Sequence, residues 1–92
     1  MDKYNELAAK MDKAINIISK IKSISPATSN FLVEFGDYIT KTKKLLINRE
    51  IAEAKGGLLG LLRWLSDYSE LENNEELWTV ITDIETYYKN NF

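Results

Sequence analysis

The chain contains no cysteine and no histidine, and these two absences remove much of the chemistry open to a small domain. Without cysteine there is no disulfide framework and no thiolate nucleophile, so the redox compartment stays open. Without histidine the commonest general base and the commonest metal ligand are both missing. Only carboxylates remain for metals, which would favour Ca²⁺ or Mg²⁺, and the run from Asp67 to Glu76 lacks the alternating aspartates and glycine of a calcium loop. No G-x-S-x-G motif accompanies the six serines, and no base stands ready to activate one of them. Glu75 and Glu76 are adjacent, so on a helix they point about 100° apart and look like dipole partners rather than a glycosidase pair. The expectation is a protein that binds rather than catalyses, with no cofactor and no metal.

Long apolar runs are absent as well. The longest, Leu58 to Leu62, is interrupted by Gly60 and falls far short of the roughly 20 residues a membrane helix needs. The first dozen residues are charged throughout and carry no signal-peptide core, which leads us to expect a cytoplasmic protein with no membrane partner. At 92 residues the chain is one domain, and 45% hydrophobic content with a net charge of −2 marks it as globular rather than disordered. Glycine occurs only four times, and the row Gly56-Gly57-x-x-Gly60 matches neither a Walker A loop nor a dinucleotide fingerprint. Lys41, Lys43, Lys44 and Arg49 form a basic patch, but a pI near 5.1 is far below that of a nucleic-acid module. The segment LLGLLRWL is leucine-rich where a recognition helix would present polar side chains to bases. Nucleic acid is therefore an unlikely partner on these grounds.

What the chain does have is helical periodicity. Tyr4, Leu7, Met11, Ala14, Ile18 and Ile21 recur at alternating spacings of three and four, widened by Ala8 and Ile15 into a core-facing stripe. Asp2 near the start and Lys20 and Lys22 near the end suit the helix dipole, and Glu6 and Lys10 form a favourable surface pair. The single proline follows Ser25, which ends the first helix and caps the second. Helix two buries Phe31, Leu32, Phe35, Tyr38, Ile39, Leu45 and Leu46. A third stripe, Ile47, Ile51, Ala54, Leu58, Leu61, Leu65 and Tyr68, runs straight through the double glycine. An unbroken helix from Pro26 to Leu71 would span about 69 Å, too long for this domain to cover. We therefore expect a turn near Asn48, with Asn48 capping helix three and a break at Gly56-Gly57 as the alternative. Asn74 caps a fourth helix, with Glu75 and Glu76 in its first turn and Leu77, Val80, Ile81, Ile84 and Tyr88 inward. Glu85 and Lys89 make a further favourable pair. The expected fold is all-α, a compact up-down bundle of four helices at about 3–24, 26–47, 49–71 and 74–90.

Two features point outward. Ala52, Gly56, Gly60 and Trp64 fall four residues apart, a shallow groove of small residues ending in an indole. It serves either an internal helix crossing or the seam of a self-associating, homodimeric assembly module. The charge is also uneven: residues 1–50 carry nine Lys/Arg against six Asp/Glu, whereas residues 51–92 carry three against eight. Between Asp67 and Glu85 there are seven carboxylates and no Lys or Arg. Either oppositely charged helices pack together, or the acidic half recruits a partner with a basic surface. For the second case Asp67, Glu70, Glu72, Glu75, Glu76 and Asp83 would steer and pair, with Trp78 and Tyr87 as anchors.

The stretch from Asn48 through Glu50, Ala54, Leu58 and Leu62 to Leu65, followed by the acidic Asp67–Glu76, resembles the middle of small helical immunity proteins. These accompany bacterial polymorphic and contact-dependent toxins, and they often show a Glu, an Ala a turn later, a Leu pair, an acidic turn and a final amphipathic helix. Gly56-Gly57 departs from that pattern, replacing longer side chains. The resemblance covers about 45 residues. It implies a monomeric or dimeric inhibitor that plugs a basic nuclease active site with acidic side chains.

Overall fold

Asp2 begins the first helix by accepting, through Oδ1, the backbone N–H of Tyr4 at 2.8 Å. This satisfies one of the donors a helix start leaves without a partner. In the computed structural model, which describes residues 2–22, 24–48 and 60–91, α1 runs over Lys3–Lys20. Leu7, Ala8, Met11, Ala14 and Ile17 are buried along it, while Ile15 and Ile18 lie half-buried beside them. The helix stops four residues before the expected position 24. Ile21 is already extended (φ −76°, ψ 124°), and so is Ser25 (φ −65°, ψ 157°) ahead of Pro26. Proline excludes helical geometry just before it, and the chain needs those residues to reverse direction.

The second helix, α2, spans Pro26–Ile47, as the spacing predicts. Ser25 Oγ accepts the Thr28 N–H at 3.3 Å, and Pro26 occupies the first turn where no N–H is needed. Phe31, Leu32, Phe35, Ile39 and Leu46 are buried, joined by Thr28 and Thr42. Thr42 Oγ1 donates to the Tyr38 carbonyl at 2.8 Å, so its burial leaves no orphan hydroxyl. Ile47, expected to open the third stripe, is instead 51% exposed in the last turn of α2. Asn48 closes that helix (φ −82°, ψ 3°), its N–H returning to the Lys44 carbonyl. The start of the expected third helix and the alternative break at Gly56-Gly57 lie outside the described residues.

From Gly60 the chain forms α3, Leu61–Leu65, with Leu61 and Leu65 buried. Its expected continuation to 71 stops at Leu65, and after a turn at Ser66 and Asp67 the chain is extended at Tyr68 (φ −117°, ψ 96°) before a 3-10 turn at Ser69–Leu71. Tertiary contacts explain the break. Tyr68 stacks its ring on Phe31 with centroids 3.9 Å apart, and Glu70, two residues on, reaches the start of α2. Last comes α4, Glu75–Asn91, with Leu77, Val80, Ile81, Ile84 and Tyr88 buried as expected.

Contacts fix the directions. Asp12 meets Lys43 while Ile18 lies beside Gly36, and Lys10 meets Asp83 while Glu6 meets Tyr87, so α2 and α4 both run antiparallel to α1. Helix α3 fills the remaining corner. Trp64 lies edge-on to Phe31, Phe35 and Tyr38 of α2, with centroids 5.4–5.6 Å apart. The described residues form an all-α up-and-down bundle of four helices, with no strand among them. Its radius of gyration of 12.8 Å matches the ~12 Å expected for a compact domain of this length.

Candidate functional site

Among the described residues, one end of the bundle gathers the turn between α3 and α4 with the first turn of α4. Asn74 Oδ1 accepts the Leu77 N–H at 3.1 Å, so the cap expected from sequence is formed. Glu75 and Glu76 occupy the first turn, where the helix dipole favours negative charge. Asp67 and Glu72 are exposed on the preceding turn. Among the described residues none of these four carboxylates makes an ion pair or a side-chain hydrogen bond. Trp78, one turn along α4 from Glu75, is half-buried, and its Nε1–H donates to the Leu71 carbonyl at 2.8 Å. That bond satisfies the polar edge of the ring and fixes it against the turn.

The other acidic candidates have partners within the chain. Glu70 faces the N-terminus of α2, accepting from the Ser25 N–H at 3.0 Å and from the hydroxyls of Ser25 and Thr28. Those hydroxyls, and then the backbone bond, hold its carboxyl below the usual carboxylate range. The sequence reading left Glu70 without a role in the fold; here it joins residues 45 positions apart. Asp83 lies 3.5 Å from Lys10, a loose pair whose acidic member is 61% exposed. Glu85 accepts the Leu62 N–H at 2.7 Å, capping α3 in place of the side chain that Gly60 lacks. Tyr87 donates its hydroxyl to Glu6 at 2.8 Å and carries the Lys10 ammonium 5.4 Å from its ring centre. Burial, the Glu6 hydrogen bond and the charges of Glu6 and Asp2 together raise its phenol above the usual range. Glu6 and Lys10, expected to pair with each other, therefore both turn to α4.

The small-residue row is placed only in part. Gly60 is half-buried at the start of α3, and Trp64 lies half-buried against the rings of α2. Ala52 and Gly56 lie outside the described residues. A shallow cleft of about 230 Å³ between α1 and α2 is lined by five aliphatic side chains and two serines, with no titratable group among them. Among the described residues no trio of acidic side chains is placed to hold a metal ion. None of the described helices is long and apolar enough to cross a membrane.

Sequence reasoning missed the ties of Glu70 to Ser25 and Thr28, of Glu85 to Leu62 and of Tyr87 to Glu6. Each joins residues 23 or more positions apart, beyond the reach of rules built on neighbouring turns. Comparison with known protein families, with curated proteins and with solved structures returned no match to this chain.

Proposed function

We propose that this chain is a small acidic protein-binding module that acts by occlusion, as an inhibitor or immunity-type protein covering a basic partner such as a nuclease toxin in the cytoplasm. The observation that carries the reading is the end surface. Asp67, Glu72, Glu75 and Glu76 are exposed on the turn and the first turn of α4 without ion-pair partners among the described residues, and the half-buried Trp78 is tied to the same turn through the Leu71 carbonyl. Carboxylates with no cation of their own present an uncompensated field, which speeds encounter with a positive surface. A tryptophan at the edge of such a rim supplies contact area near the centre of an interface. Catalysis is the weaker reading, because the sequence lacks histidine and cysteine.

Affinity capture from the source cell tests the reading, with the wild-type chain and the Glu72→Gln/Glu75→Gln/Glu76→Gln variant as parallel baits. The wild type is expected to retain a basic protein that elutes with salt, and the variant to lose it. With the captured partner in hand, association at low salt should slow by about tenfold or more in the variant. Identical captured sets, or an unchanged association rate at low salt, would refute the electrostatic mode of binding.

A further inference from the structure

The tie between Glu70 and the start of α2 is more than one of several surface hydrogen bonds. Its carboxylate collects the Ser25 N–H and both hydroxyls that face it, across 42 to 45 residues of sequence. Leu71 follows Glu70 directly, and its carbonyl accepts both the Trp78 indole N–H at 2.8 Å and the Asn74 N–H at 3.1 Å. Anchoring Glu70 therefore anchors the acceptor that orients Trp78 and the residue that caps α4. We propose that Glu70 is a positioning residue, a carboxylate latch that pins the acidic turn to α2 and presets Trp78 and the surrounding carboxylates, and that protonation opens it. The clause about presetting rests on the binding surface proposed above; the latch itself does not.

The chemistry supports a switch of this kind. An ionised carboxylate is acceptor-only and satisfies three donors at once, whereas a protonated one accepts more weakly and keeps all three only if a hydroxyl turns to accept its O–H. Among the described residues no cation pairs with Glu70. The first turn of α2 carries no charge of its own, Lys20 ends α1, Lys22 lies on the linker that follows, and Glu34 lies further along α2. The turn itself contributes Asp67 and Glu72, and α4 contributes Glu75 and Glu76. The carboxyl of Glu70 lies below its ordinary range, so the latch is fully present above that range. It is lost as pH falls through the lowered value.

Hydrogen exchange and indole NMR on the full chain test this without any partner, so the outcome is independent of whether the acidic surface binds one. In Glu70→Gln, the turn amides of Glu72 and Asn74 are expected to exchange about tenfold faster than in the wild type, with Met11 and Ile81 unchanged. The Trp78 indole resonance should shift. Acidification of the wild type should produce the same indole shift, and Glu70→Gln should not show it again. Thr28→Val removes one donor and should give a smaller change in the same direction, a check that survives if Glu70→Gln fails to fold. Wild-type protection in both variants, or an acid-induced indole shift that persists in Glu70→Gln, would overturn the latch.

Discussion

The seam between α1 and α4 and the acidic end of the bundle are built from the same residue types, yet they use them differently. Along the seam each acidic group has a donor opposite: Glu6 takes the Tyr87 hydroxyl, and Asp83 faces Lys10. At the end, Asp67, Glu72, Glu75 and Glu76 have none among the described residues, while Glu70 beside them is fully engaged by Ser25 and Thr28. A count of carboxylates does not separate these groups. Their partners do, and the contrast narrows the proposed interaction surface to the side chains without partners among the described residues.

Two changes probe that contrast, the larger first. Phe35 is completely buried, stacked on Phe31 at 5.1 Å and met edge-on by Trp64, so it underlies the corner where α2 and α3 join. Phe35→Ala should cost about 3–5 kcal/mol in urea unfolding and weaken both regions alike. Loss of protection at only one of them would mean that they do not share a core. Lys10→Met strikes the seam alone. It removes the partner of the exposed Asp83, and the cost should stay below about 1 kcal/mol because such pairs are screened by water. A larger loss would show that the seam depends on charge rather than on the apolar stripe beneath it.

Most of the bundle is legible in the sequence. The stripes of α1, α2 and α4 predict buried Leu7, Met11, Phe35, Ile39, Ile81 and Ile84, and Ser25 and Asn74 cap as their positions suggest, while Asp2, expected to suit the dipole, caps α1 as well. These features are local, set by side chains three or four residues apart. The misreadings share the opposite cause. Periodicity carries helix three to 71, but the helix ends at Leu65 and Tyr68 is extended, its ring stacked on Phe31. It also pairs Glu6 with Lys10 and Glu85 with Lys89, whereas Glu6 reaches Tyr87 and Glu85 reaches the bare N-terminus of α3. For the candidate surface, position was readable but engagement was not. Asp67, Glu70 and Glu72 look equivalent in a string of residues, and only the fold distinguishes Glu70 by bringing Ser25 to it.

That distinction is the central claim, and urea denaturation of two variants at neutral pH tests it most directly. The account predicts that Asp67→Asn/Glu72→Gln unfolds within about 0.5 kcal/mol of the wild type, as expected of surface groups without partners. Glu70→Gln should unfold at a clearly lower urea concentration, because three donors lose their ionised acceptor. A double variant as destabilised as Glu70→Gln, or a Glu70→Gln midpoint equal to that of the wild type, would contradict the division of carboxylates between fold and surface.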